Sequence, residues 1–338
     1  MVMIRKDRAL VLAICFLLAT SARNAVAQQG NVAPDTRAPV SLQELVDEAA
    51  RTALARFAAS GLQEKNLAIT LIDLREAKSR RFSEVMRSSP RRFQASFRGD
   101  APIYPASVVK LFYLAAAHRW LQDGKLQETE ELRRALRDMI VDSSNDATHY
   151  VLDVMTGTTS GGELGADEMR EWAMKRNVVN RYFASLGYAG INVNQKPWCE
   201  GPYGRERVFL GPNYENRNKL TTGATARLLA EIVTGEAVTT EASRKMMELL
   251  KRDLTARSDD PDDQARGFTG SALPVGARLW SKAGWTSSAR HDAAYIELAD
   301  GSRFVLVTFT TDHSRERDII PTVARVIIAG LSTIKSAG

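Results

Sequence analysis

One β-rich apolar run near the start of the chain, Leu67 to Leu74, constrains the fold more than any other segment. A strand needs neighbours for its backbone N–H and C=O groups. The only other strand-like segments lie far downstream, at Arg278 to Thr286, Ala293 to Leu298 and Arg303 to Thr311, with Ala299-Asp300-Gly301-Ser302 as hairpin turn chemistry. The sheet must therefore be assembled from both ends of the chain. Between them the pattern is helical, with helices expected at Ser107 to Leu121, Glu128 to Ile140, Asp146 to Met155, Ala166 to Leu186, Thr222 to Thr234 and Thr240 to Leu250. Ahead of the first strand, Ser41 caps an amphipathic helix carrying Leu42, Leu45, Val46, Ala49, Ala53, Leu54 and Phe57, which Gly61 ends; another helix follows the last strand, from about Pro321 to Leu331. The fold class is α+β: an antiparallel sheet built from both chain ends and flanked by helices, with an inserted all-helical lobe. The expected boundaries are 41–100 with 265–335 for the α/β lobe, and 101–264 for the helical lobe.

The first 27 residues read as a secretory signal: basic Arg5, Lys6 and Arg8, an apolar run from Ala9 to Ala19, then Ala25-Val26-Ala27 as a small-residue cleavage site. The apolar run falls short of the roughly 20 residues a membrane anchor needs. A secreted or periplasmic location is expected. Residues 28–40 read as a linker. Removing the leader takes away Arg5, Lys6, Arg8 and Arg23 against Asp7 alone, lowering the formal charge from +6 to +3. Seven basic residues between Lys78 and Arg98 read as a solvated loop and not as a nucleic-acid platform. Cys199 is the single cysteine past the leader, so no intramolecular disulfide can form. Four scattered histidines, without Cys-x-x-Cys or His-x-x-x-His spacing, point to no metal, and no cofactor is expected.

Chemistry enters at Ser107-Val108-Val109-Lys110, at the start of a nearly all-apolar helix preceded by Pro105. Positions i and i+3 share a helix face, so the lysine can reach the serine hydroxyl. Burial shifts a lysine toward its neutral amine, which can take a serine proton. The Ser107 N–H, at a helix start, suits a developing oxyanion. Alone, this spacing equally describes a helix-start serine beside a snorkelling lysine. Downstream follow Ser143-Ser144-Asn145 and, on an expected strand, Lys282-Ala283-Gly284.

These three motifs, in this order, resemble the set found in the class A β-lactamase and penicillin-binding-protein superfamily of serine hydrolases. Tyr104 to Lys110, Met139 to Ala147, Leu220-Thr221-Thr222 and Ala272-Leu273-Pro274 resemble the family too, so the likeness runs from about residue 41 to residue 330. It implies Ser107 as nucleophile, Lys110 as base or proton relay, and Ser143 as the group that passes a proton to the leaving nitrogen. Asn145 would hold a substrate carbonyl. Lys282 would supply positive charge for a substrate carboxylate. The backbone N–H of Trp285 would be the second oxyanion donor, with Gly284 letting substrate lie along the strand edge. The implied partner is a small β-lactam or a peptidoglycan stem peptide, bound by a monomer, with no nucleic acid and no metal.

Two substitutions depart from the pattern: Ser144 replaces an aspartate, and Ala283 replaces a hydroxyl residue that helps bind the substrate carboxylate. The loop glutamate that activates water for deacylation also lacks its usual setting. Glu200 lies in about the right part of the chain, with Glu206 and Glu215 as weaker candidates. Cys199, His118 and His149 read as structural, and Trp280 as packing. Three readings stay open: a β-lactamase, a peptidase-like or esterase-like envelope hydrolase that deacylates slowly, and a silent envelope-binding domain.

Overall fold

The computed structural model describes residues 41–75, 81–88, 90–198 and 201–334. The leader, the 28–40 linker, Lys78, Arg80, Cys199 and Glu200 lie outside the described residues. The strands are β1 (Leu67–Asp73), β2 (Gln94–Phe97), β3 (Lys251–Arg252), β4 (Arg278–Trp285), β5 (Ala289–Glu297) and β6 (Arg303–Thr311). They form one sheet in the order β2-β1-β6-β5-β4-β3, with every neighbouring pair antiparallel. As the sequence requires, β1 pairs with the last strand: Leu67 stands opposite Thr310 and Asp73 opposite Phe304.

The helices are α1 (Leu42–Arg56), α2 (Phe82–Ser88), α3 (Pro90–Phe93), α4 (Lys110–Gln122), α5 (Glu130–Ile140), α6 (Asn145–Thr156), α7 (Ala166–Arg176), α8 (Val178–Ser185), α9 (Gly204–Leu210), α10 (Thr222–Val233), α11 (Thr240–Leu250) and α12 (Ile319–Leu331). Strand periodicity sorts side chains between two cores. Leu67, Ile69, Leu71, Ala294, Ile296, Phe304 and Leu306 face α1 and α12. Ala68, Ile72, Ala293, Tyr295, Val305, Val307 and Phe309 face the helices between β2 and β3. The sheet is thus covered on both sides. Helix α4 is apolar all round and is enclosed accordingly, from Leu111 to Ala117.

Caps follow the sequence closely: Ser41, Thr129, Ser144, Thr221 and Thr239 each accept a backbone N–H of the first turn they precede. Three expectations are corrected. The basic run is no loop where it is described, because α2, α3 and β2 occupy it and β2 pairs with β1, burying Ala95. The helix expected at Ala166 to Leu186 divides at Asn177, whose Oδ1 accepts from Asn180 Nδ2 and Asn194 Nδ2. Strand β5 begins at Ala289, before the expected Ala293, because Arg290, His291 and Asp292 are polar yet buried.

Candidate active site

Strand β4 and the turn that opens α4 meet backbone to backbone. Ser107 is half-buried in a short 3-10 turn, Ala106–Val109, that leads into α4. A Cβ on Gly284 would sit 2.7 Å from Ser107 N and 2.9 Å from both Pro105 O and Val108 N. The bare backbone at 284 therefore admits the turn itself, a more immediate reason for glycine than room for a ligand. Just ahead of Ser107, Ala106 has φ +47°, a strained conformation for a residue with a side chain. The approach is held by His291, which faces Gly284 from β5. Its Nε2 lies 2.9 Å from Tyr104 O, and its Nδ1 accepts Thr310 N–H at 3.1 Å. Those partners require a neutral ring with the proton on Nε2. Burial agrees, drawing its pKa from 6.5 to about 4.

Trp285 lies next along this edge. Thr286 N–H bonds Ala289 O, and antiparallel bonding alternates, so Trp285 N–H points away from β5, as does Ala283 N–H, which reaches Gln264 Oε1. Ser107 N–H, in the opening turn of its helix, has no intrahelical acceptor. Two backbone donors of the kind needed for an oxyanion thus belong to segments in direct contact.

Two buried amines converge on Ser143. Lys110 Nζ donates to Ser143 O at 2.5 Å, to Asn145 Oδ1 at 2.8 Å and to Ser143 Oγ at 3.3 Å. From the other side, Lys282 Nζ donates to Ser143 Oγ at 3.0 Å, to Gln264 Oε1 at 2.7 Å and to Ala283 O at 2.7 Å. Ser143 adopts φ +56°, in the left-handed region, and presents both carbonyl and hydroxyl to Lys110. Burial, then the neighbouring charges of Lys110 and Arg252, hold the Lys282 pKa well below the ordinary lysine value. Asn145 Nδ2 also bonds Trp198 O, tying α6 to the loop that follows α8.

This arrangement places Ser107, Lys110, Ser143, Asn145, Lys282, Gly284 and Trp285 around one junction of α4, α6 and β4. A sequence model described as the β-lactamase enzyme family matches residues 66–331. The chain belongs to this β-lactamase family. No curated protein matches it by sequence search. Among solved structures, a β-lactamase from Sphaerobacter thermophilus is similar with TM-score 0.58 and 19% identity, covering 85% of this chain and 98% of that one. A mutant of PBP-A, solved as its acyl-enzyme complex with penicillin G, aligns with TM-score 0.58 and 17% identity over 87% of this chain and 98% of its own. A β-lactamase from Xanthomonas campestris aligns with TM-score 0.57 and 14% identity over 85% and 98%.

Within the β-lactamase fold, the two substitutions acquire physical meaning. Ser144 is the N-cap of α6, its Oγ accepting Ala147 N–H at 3.1 Å, a task serine and aspartate perform about equally. Ala283, expected among the substrate-binding positions in place of a hydroxyl residue, is corrected: its side chain does not line the site. Alternation turns it away from Lys282, and it is fully buried against Phe268 and Ile320. Glu206 is corrected as a water-activating candidate, because it is buried in an ion pair with Arg176 and also accepts from Ser160. Glu215 is exposed and bonds Asn213. Glu200 lies outside the described residues.

His118 is buried in α4, and burial takes its pKa to about 4; His149 contacts Pro197 O. Trp280 packs on Tyr295. The sequence reading overlooked His291, Gln264 and Arg252. None of the three carries a local signal; His291 is set opposite Gly284 only by the β4–β5 register.

Proposed function

We propose that this protein is a serine hydrolase that forms an acyl-enzyme on Ser107, with the β-lactam amide as its substrate. The observation that carries this reading is the hydrogen bonding at Ser143: its Oγ accepts from Lys110 and from Lys282. A hydroxyl with both lone pairs so occupied has one hydrogen left, and it must point elsewhere. That hydrogen is placed to be given to a departing nitrogen.

In the acylation step, Lys110 starts as a neutral amine whose two hydrogens stay on Ser143 O and Asn145 Oδ1; its lone pair takes the proton as Ser107 Oγ attacks the carbonyl carbon, and the ammonium so formed supplies the third bond, to Ser143 Oγ. The oxyanion is received by the N–H groups of Ser107 and Trp285. As the C–N bond breaks, Ser143 protonates the nitrogen and is reprotonated by Lys110, which returns to the neutral amine, while Lys282 keeps its proton and holds the Ser143 hydroxyl. Water then cleaves the ester and restores the Ser107 hydroxyl. With Glu206 and Glu215 engaged or solvated, Glu200 is the acid we assign to activating that water.

A second reading, a peptidase-like hydrolase with slow deacylation, is favoured by that same commitment of Glu206 and Glu215. Export after cleavage near Ala27 is part of the proposal and rests on the leader sequence alone. The test is intact-protein mass spectrometry after brief exposure to a penicillin. The expected adduct equals the whole antibiotic, maps to the peptide containing Ser107, disappears in Ser107→Ala, and decays within seconds for the first reading or persists for the second. An unmodified wild-type protein, or labelling that survives Ser107→Ala, removes the proposal.

A further inference from the structure

A single neutral side chain joins the two halves of the site. Gln264 lies in the loop between β3 and β4 and is almost wholly buried. Its Oε1 accepts from Lys282 Nζ at 2.7 Å, from Ala283 N at 3.3 Å and from Arg252 Nη2 at 3.3 Å. Its Nε2 donates to Val141 O at 2.9 Å and to Ile140 O at 3.4 Å, the carbonyls just ahead of Ser143. The three groups around Oε1 can only donate, and the two around Nε2 can only accept, so the amide has one possible orientation. Neither a carboxylate nor an aliphatic side chain can satisfy both sets.

The loop is itself fixed. Buried Arg290 of β5 donates to Asp262 Oδ1 at 2.6 Å and to Gly267 O at 2.5 Å, and its guanidinium lies 3.9 Å over the Phe268 ring. Arg252 adds bonds to Ser281 O at 2.7 Å and to Ile140 O at 3.2 Å, alongside those of Gln264. A cationic and a neutral side chain together fasten β4 to the end of α5.

We propose that Gln264 is a positioning residue for proton delivery by Ser143: it takes one of the three hydrogens of the Lys282 ammonium and holds the ammonium against the Ser143 hydroxyl. The role rests on the acylation reading above. A lysine has three N–H donors, and here they meet three acceptors, Ser143 Oγ, Gln264 Oε1 and Ala283 O. The charged groups facing Lys282 are Lys110 from α4 and Arg252 from β3, which oppose its charge, and Asp292 from β5, which favours it but whose own carboxyl is pushed up by burial. Neutral acceptors therefore carry much of the ammonium's stabilisation. Deleting the Gln264 carbonyl leaves one buried N–H without a partner and frees the amine to turn from Ser143.

The test uses the full chain with Gln264→Leu and Gln264→Glu, read in two ways. Lysine labelled with 13C at the ε position reports the Lys282 titration by NMR, assigned through Lys282→Arg. The pH dependence of Ser107 acylation by a fluorescent penicillin reports the reaction. In Gln264→Leu the Lys282 midpoint is expected to fall by about one pH unit or more, and in Gln264→Glu to rise by a similar amount. The limb of the acylation profile set by Lys282 follows in the same two directions, and acylation at neutral pH slows about 10- to 100-fold in the leucine variant.

A merely structural role would lower both rates and leave both midpoints in place. That result, or midpoints moving together, overturns the assignment. If the leucine variant does not fold, the glutamate variant decides alone by whether its midpoint rises. A wild-type protein that penicillin does not label, but whose Lys282 midpoint still responds in opposite directions, supports the Gln264–Lys282 assignment and refutes the hydrolase reading instead.

Discussion

Adding one methyl group to Gly284 should move Ser107, the nucleophile of the proposed reaction. The added Cβ of Gly284→Ala would meet three backbone atoms of the turn, the nearest being Ser107 N at 2.7 Å. Ordinary contact begins near 3.4 Å, so strand or turn must yield by about 0.7 Å, and backbone on both sides offers no flexible end to give way. His291 and Tyr104 oppose the shift from behind, through a bond of 2.9 Å. Overpacking of this kind costs roughly 1–3 kcal/mol of stability. A misplacement approaching 1 Å at a reacting atom costs about 100-fold in rate, so acylation by a fluorescent penicillin is expected to slow by between 10- and 100-fold. The assay pairs the second-order acylation rate with a urea titration. Gly162→Ala serves as the control, because its added Cβ meets nothing within 4 Å. A Gly284→Ala protein acylated at the wild-type rate would refute the claim that this contact places Ser107.

Other expectations can be checked by equilibrium unfolding. Ser144→Ala should cost about 1 kcal/mol by removing the α6 cap while Ser144→Asp costs little; equal losses in the two variants would contradict the cap. Glu206→Gln leaves buried Arg176 with only its longer pairing to Asp153, at 3.3 Å, and should destabilise toward the lower end of roughly 3–5 kcal/mol; a loss below about 1 kcal/mol would contradict the buried pair. His291 and His118 each have a folded pKa near 4, depressed from 6.5. Below pH 6.5 the unfolded chain gains protons that the folded chain refuses, so stability is full above that pH and falls as pH drops toward 4. Each histidine contributes up to about 3 kcal/mol to the loss. His291→Gln, whose amide can both donate and accept, should remove roughly half of this slope; an unchanged slope between pH 6.5 and 4 would show that His291 does not stay neutral.

The sequence made the strands and most helices legible because their signals are local: apolar period, capping serines and threonines, and the Ala299 to Ser302 turn. The Ser107 to Lys110 spacing was equally readable, since three residues along a helix place two side chains on one face. What escaped notice was non-local. Gln264 stands in an acidic, irregular loop and gains its role only through carbonyls more than a hundred residues earlier. Arg290, His291 and Asp292 hid the first half of β5, because a polar run looks like a surface until partners such as Tyr104 and Asp262 are known. Ala283 looked like a missing donor because its motif neighbours face the site, whereas strand alternation buries it beneath Phe268.

The pairing of β1 with β6 has a consequence for how the molecule comes into being. The partner of Leu67 is Thr310, so the inner strand emerges from the ribosome about 240 residues before the chain that completes it. Until Arg303 to Thr311 arrives, Leu67 to Asp73 offers an open hydrogen-bonding edge that another copy could occupy. Products that stop short of Arg303 are therefore expected to clump, since without β6 the sheet divides into β2-β1 and, at most, β5-β4-β3.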